Sequence, residues 1–340
     1  MEEKRKEKKR KNRSLYLFLF LSLILLTTAF FWSVCTGARE IRPSVFLEAL
    51  TRYDAANVDH VIIRTLRLPR TVVAAAVGAS LAVSGTLMQA TTRNPMASPS
   101  VLGINAGAGL GLALAMVFVP GASFNQTVLF SFAGAAVGTV TIFGIASASR
   151  AGSSPVRLAL VGTAISSLFS ACSQAVAMYF KISQDLTFWN AGGVSGVRPE
   201  QARLLLPWTL AGLLFAMSIA KSVSLLSLGE EVAVGLGGKT KYIKMAASFA
   251  VLILTGSSVA IAGPISFVGL VTPHAVRFLI GSDYRKVLPC SMFAGALLVL
   301  FADVVARMVN PPFETPTGAI TALIGVPFFI YLAARKGGKG

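Results

Sequence analysis

Apolar runs of about 20 residues recur along the chain, and this recurrence constrains the fold more than any single motif. A helix of that length crosses the hydrocarbon layer of a bilayer. Of the 340 residues, 54% are hydrophobic and only 13% charged. Soluble domains carry roughly 25% charged residues. The chain therefore reads as an all-α, polytopic membrane protein whose first partner is the lipid bilayer. The approximate spans are 15–35, 71–91, 101–119, 124–148, 156–180, 204–221, 243–263, 267–281, 288–309 and 319–334. About ten crossings put both termini on one side. The eighth span is short and interrupted by Pro273.

Charge placement sets the orientation. The formal net charge is +17, and eight of the 31 Lys and Arg lie in "EEKRKEKKRKNR", before the first run. Most of the others fall in short loops between runs, as the positive-inside rule requires. Residues 1–14 are then a basic cytoplasmic segment, residues 15–336 a single membrane domain, and both termini face the cytoplasm. A folded basic patch with interleaved aromatics is absent, which argues against a nucleic-acid partner. The first run is too long for a signal-peptide core and no small-x-small site follows it, so it is expected to be a retained helix. Cys35, Cys172, Cys290, His60 and His274 are too dispersed to form a recognisable metal cluster. The expectation is no metal and no cofactor.

An internal repeat runs through the apolar segments. At an offset of 178, "GASLAVSG" (78–85) matches "GSSVAIAG" (256–263), Pro95 matches Pro273 and Gly103 matches Gly281. The repeat halves are about 71–180 and 243–334. They start at spans separated by an odd number of crossings, so the second half is inverted in the membrane.

The stretch "AVGLGGKT" (233–240) fits the loose form of a nucleotide-binding P-loop. That motif needs a strand before it and a helix after it, so that backbone N–H groups cradle the phosphates. Here it lies between two membrane helices, and "LLSLGEEVAV" before it reads as a short helix. Ser227 and Glu230 have capping-box spacing, and Glu230 and Glu231 sit at the positive end of the dipole. Leu228, Val232 and Leu236 line one face, while Gly237 and Gly238 supply the stop. The segment 227–238 is read as an amphipathic cytoplasmic helix. It rests either on a cytoplasmic partner or on the protein's own membrane ends.

Other polar residues stand out against the apolar background. The external loop 36–70 carries Arg39, Arg42, Arg52, Arg64, Arg67 and Arg70, against the usual charge bias. Arg67 and Arg70 are either anchors for the second span or part of a docking surface for an acidic external partner. Asp303 and Arg307 are four apart on one face of the ninth span, the spacing of a structural ion pair. In "RNPMASPSVLG" (93–103), Asn94 and Ser98 precede prolines and should be extended or in turns. His274 is read as a helix-end hydrogen-bonding residue.

Taken together, "RLPRTVVAAAVGASLAVSGTLMQATTRNPMASPSVLGINAGAG" (67–109), "LGEEVAVGLGG" (228–238), "AGPISFVGLVTPHAVRFLIGSDYRKVLP" (262–289) and "PTGAITALIGVPFFIYLAARK" (316–336) resemble the FecCD family. These are permease subunits of iron-siderophore, haem and cobalamin ABC importers. The resemblance implies a transport subunit, not an enzyme, with no catalytic residues of its own. It implies ABC ATPase partners that dock on Leu228, Gly229, Glu230, Glu231, Val232, Ala233, Leu236 and Gly237. It also implies a second permease copy or paralogue and an extracytoplasmic substrate-binding protein. Arginines matching Arg67, Arg70 and Arg307 receive carboxylates from that binding protein in related permeases. Positions matching Pro155 and Val156, beside Ser154, narrow a cytoplasmic gate in a cobalamin permease, with hydroxyl residues where this chain has Pro and Val. The implied cargo is an iron-siderophore complex, with haem or a cobalamin as alternatives. A stand-alone ion-coupled secondary transporter is the rival class, because an inverted repeat fits it equally well.

Overall fold

The computed structural model describes residues 2–37, 39–148, 155–310 and 313–337. In chain order the helices are α1 (Glu2–Cys35), α2 (Pro43–Thr51), α3 (Val58–Ile62), α4 (Leu68–Thr92), α5 (Ile104–Phe118), α6 (Phe124–Ala148), α7 (Pro155–Tyr179) and α8 (Ser183–Ala191). They continue as α9 (Pro199–Ser218), α10 (Ala220–Ser227), α11 (Glu230–Gly235), α12 (Thr240–Ala262), α13 (Val268–Ile280), α14 (Tyr284–Met308) and α15 (Thr317–Gly337). Among the described residues there is no strand. The all-helical expectation therefore holds, and the basic N-terminal segment continues α1 without a break.

Six helical segments are long and apolar enough to cross a membrane, and the pair α9–α10, bent by 53°, adds a seventh if it is one span. Three shorter apolar helices, α5, α13 and the apolar part of α15, accompany them. Helix α13 has 13 residues. At 1.5 Å per residue it rises only about 20 Å, short of the roughly 30 Å hydrocarbon layer. Its proline, Pro273, lies inside the helix, whereas the repeat counterpart Pro95 lies in the turn after α4. Asn94 accepts a hydrogen bond from the Met96 amide, and Ser98 is extended at φ −129°, ψ 154°, as the following prolines require.

Helix α4 is the centre of the bundle. In the apolar window of its span 89% of residues are buried, against 17% for α1 and 11% for α7. It packs on α14, α12, α13, α9 and α10. Small residues allow that crowding, since close backbone approach is the main source of helix association in lipid. A Cβ on Gly78 would lie 2.2 Å from the Gly295 carbonyl oxygen of α14, and one on Gly85 only 1.9 Å from that of Gly269 in α13. The stretch 78–85 thus uses its glycines against α14 and α13. The matching stretch 256–263 lies at the end of α12, where Gly256 faces the Phe132 ring.

Gly85→Ala is expected to push α4 off α13, because no side chain can yield when the clash is with backbone. Overpacking of this kind costs typically 1–3 kcal/mol. A lowered unfolding midpoint of the purified protein in detergent is the expected result. A midpoint equal to wild type would show that the α4–α13 contact opens freely.

Candidate functional site

Three places bring polar or exposed apolar side chains together in a way that packing alone does not demand. The first is the turn between α10 and α12. Here the structure corrects the expected helix over 227–238. Ser227 is the last residue of α10, and its hydroxyl donates to the Ser224 carbonyl at 2.7 Å, so it caps nothing downstream. The chain breaks at Gly229, whose φ of 128° only glycine adopts readily. Helix α11 then runs for six residues. Its end matches the reading. Gly238 N donates to Ala233 O at 2.7 Å and Gly237 N to Val234 O at 2.8 Å, the paired bonds of a Schellman motif, with Gly237 at φ 79°.

Glu230 does not complete a capping box. Its carboxylate accepts from Lys244 Nζ of α12 at 2.8 and 2.9 Å. That hydrogen bond holds the Glu230 carboxyl below its ordinary range, against the upward push of partial burial, with Thr240 and Arg93 adding to the depression. A depressed carboxyl favours the tie at neutral pH and loses it on acidification through the folded-state pKa. Ala233 is fully buried, yet Leu228, Val232, Val234 and Leu236 are 48–66% exposed. The turn is thus fixed at one point and presents an uncovered apolar surface around it. No strand precedes "AVGLGGKT": Ala233 to Gly235 are helical and Thr240 opens α12.

The second place is the arginine cluster where α1, α4 and α14 meet. Arg67, Arg70 and Arg307 are brought together, but each is engaged within the chain. Asp303, fully buried, lies between two guanidiniums, with Arg70 Nη2 at 2.9 Å and Arg307 Nη2 at 3.1 Å. Arg70 Nη1 reaches the half-exposed Glu314 carboxylate at 2.6 Å. Arg67 donates to the carbonyls of Val34 and Cys35, both at 2.8 Å, and to that of Arg39. Arg307 donates to the carbonyls of Ser33 and Thr36, both at 3.0 Å, and to the Ser33 hydroxyl at 2.8 Å. The end of α1 leaves carbonyls without intrahelical partners, and two cations satisfy them. The i, i+4 spacing announced the Asp303–Arg307 pair. Arg70 and Glu314 are joined to it only by the fold.

The third place is a cavity of about 320 Å³ among α4, α5, α12, α13 and α15, with Ser98, Ser100, Asn105, Thr255, Ser266 and Phe267 in its lining. No charged side chain lines it. Asn105 Oδ1 and Thr255 Oγ1 are buried without a hydrogen-bond partner. Ser154 and the side chains of Pro155 and Val156 lie outside the described residues. His274 lies inside α13, with its ring edge-on to Phe328 at 5.7 Å. Among the described residues no group of His, Cys, Asp and Glu could hold a metal ion.

Sequence reasoning missed Gln89, which is 1% exposed in α4. Its Nε2 donates to the Gly269 carbonyl at 3.1 Å, and its Oε1 accepts from Arg277 Nη2 at 2.5 Å. Pro273 has no N–H, so the Gly269 carbonyl four residues earlier has no helical donor. Gln89 supplies one. A lone amide in an apolar span, with a proline four residues after the carbonyl to be served, was a readable signal.

Comparison with known proteins agrees with this architecture. Residues 24–335 match the FecCD transport family. The chain is 50% identical to the iron(3+)-hydroxamate import system permease protein FhuB of Bacillus subtilis, over 92% of this chain and 81% of that protein. It is 44% identical to the iron-uptake system permease protein FeuB of the same organism, over 93% and 96%. Among solved structures, it aligns at a TM-score of 0.81 and 30% identity with an inward-facing conformation of a metal-chelate type ABC transporter, covering 94% of this chain and 99% of the other. With these matches extending from the first membrane helix to the last, the chain belongs to the FecCD transport family.

Proposed function

We propose that this chain is the membrane-spanning permease subunit of an ABC importer that carries an iron-siderophore complex across the cytoplasmic membrane. The observation that carries the reading is the 50% identity with an iron(3+)-hydroxamate permease over 92% of the chain. Ten crossings follow if the six long segments, the bent α9–α10 pair and the three short apolar helices are each counted once. Both termini are then cytoplasmic, the two repeat halves are inverted relative to each other, and the α10–α12 turn faces the cytoplasm. A separate ATPase covers the apolar surface of that turn and drives the cycle. A second permease, identical or paralogous, completes the pathway.

The uncharged cavity supports a neutral cargo. A ferric ion bound by three hydroxamates carries no net charge, whereas catecholate and citrate complexes are anionic. Hydroxyls and a carboxamide, two of them with unpartnered oxygens, suit a neutral polar surface and give little help to an anion. On the outer side, the arginine cluster accepts carboxylates of a substrate-binding protein. Its three guanidiniums and two carboxylates leave one net positive charge. Ser154, Pro155 and Val156 are kept as the cytoplasmic gate on the family resemblance alone. The secondary-transporter reading is less well supported, because the buried carboxylate Asp303 is already engaged by the guanidiniums of Arg70 and Arg307.

Uptake by a strain lacking the native gene and complemented with this one tests the proposal. Labelled ferric hydroxamate should accumulate, and ferric catecholate, ferric citrate, haem and cobalamin should not. Accumulation of cobalamin or haem alone would reject the siderophore assignment. Uptake insensitive to inactivation of the partner ATPase would reject the importer class.

A further inference from the structure

Beside the α10–α12 turn lies a cavity of about 490 Å³ to which the transport reading gives no task. Its walls come from the end of α4, the end of α13, the start of α14 and the Ser227–Leu228 link that precedes α11. Two guanidiniums enter it, Arg93 and Arg277. Arg39, Arg70, Arg285 and Arg307 each pair with a carboxylate, but among the described residues neither Arg93 nor Arg277 does. The nearby acids are otherwise occupied. Glu230 is held by Lys244 and reaches Arg93 only through its field, and Asp283 is held by Arg285 and the Ser224 hydroxyl.

Arg277 is positioned in advance. Its Nη1 donates to the Tyr284 hydroxyl at 3.1 Å and its Nη2 to the Oε1 of Gln89, whose Nε2 donates in turn to the Gly269 carbonyl. Arg93 closes α4 in the left-handed region at φ 51°, an uncommon setting for a residue with a side chain. Its guanidinium reaches the α11 entrance, 3.8 Å from where a Cβ on Gly229 would sit. Ser227, Ser282 and Tyr284 add hydroxyls to the lining. At the rim, Phe278 is 82% exposed.

We propose that this cavity binds a phosphate group, with Arg93 and Arg277 as its two cationic ligands. Arginine suits that role because its planar donors match phosphate oxygens in pairs. The apolar rim would accommodate the chain of a phospholipid, and the basic floor would serve equally for free inorganic phosphate. In either form the anion joins the ends of α4 and α13 to the link entering α11. Occupancy therefore stiffens the attachment of the turn to the membrane core. The site goes beyond the transport reading and is tested without transport, so either can fail alone.

The test uses the full-length chain in nanodiscs. One arm counts phosphatidylglycerol molecules retained by native mass spectrometry after release from mixed phosphatidylglycerol–phosphatidylcholine discs. The other titrates inorganic phosphate calorimetrically in pure phosphatidylcholine discs. Saturable binding in the first arm names a lipid phosphodiester, and in the second a free anion. Arg93→Gln and Arg277→Gln should each weaken binding about fivefold, the factor expected for one cationic side chain at an anionic surface. The exposed Arg203→Gln should change nothing. Arg93→Gln removes a solvent-exposed side chain and should fold normally, so it carries the test if Arg277→Gln does not fold. Absence of binding in both arms, or binding unchanged in Arg93→Gln, overturns the proposal.

Discussion

Asp303→Ala is expected to be the most damaging single substitution in the membrane core. It removes the carboxylate shared by Arg70 and Arg307 and leaves two buried guanidiniums facing one another. Breaking a buried ion pair from one side costs about 3–5 kcal/mol. Arg70 keeps Glu314 and Arg307 keeps the α1 carbonyls, so both remain hydrogen-bonded while their mutual repulsion goes unscreened. The unfolding midpoint in detergent should fall by the order of 10 °C. Asp303→Asn, which keeps the shape and one acceptor, should fall less. Adding Arg307→Met to Asp303→Ala should recover part of the loss, because it removes one of the two opposed cations. A single mutant that melts with wild type would show that the cluster is not structural, and docking would become its principal use.

The same cluster shows where sequence reasoning reached and where it stopped. Asp303 and Arg307 share a helix, so a spacing of four was enough to pair them. Arg70 is 233 positions from Asp303, and nothing in an isolated apolar segment reports a contact made by folding. Exchanging Asp303 and Arg307 looks harmless in sequence, but in the fold it would set a second guanidinium against Arg70 where the carboxylate now lies.

Long apolar runs were readable because lipid demands them. The seventh expected span, 243–263, falls within α12, Thr240–Ala262, to a residue at its end. The helix break at Gly229 was not readable. Ser227 and Glu230 offered a locally consistent cap, and a tertiary bond from Lys244 drew Glu230 away from it. The Schellman end at Gly237 and Gly238 was readable because it needs only neighbouring residues.

Val232→Asp and Leu236→Asp should abolish transport while the permease still inserts and folds. Both side chains are about half exposed or more, so a carboxylate at either position stays solvated in the isolated subunit. In the proposed importer it would be buried against the ATPase without a partner, at a cost of several kcal/mol. Each 1.4 kcal/mol is a tenfold loss of affinity, so docking should weaken by a hundredfold or more. Recovery of the ATPase with affinity-tagged permease is the measurement, alongside the unfolding midpoint of the permease alone. Ala233→Asp supplies the contrast. Ala233 is fully buried beneath the same turn, so its replacement should lower the midpoint as well as docking. Glu230→Gln should weaken the tie to Lys244 without adding charge to the apolar surface, leaving most of the docking intact. If both aspartate variants recover the ATPase as well as wild type does, the apolar surface of the α10–α12 turn is covered by something other than the motor subunit.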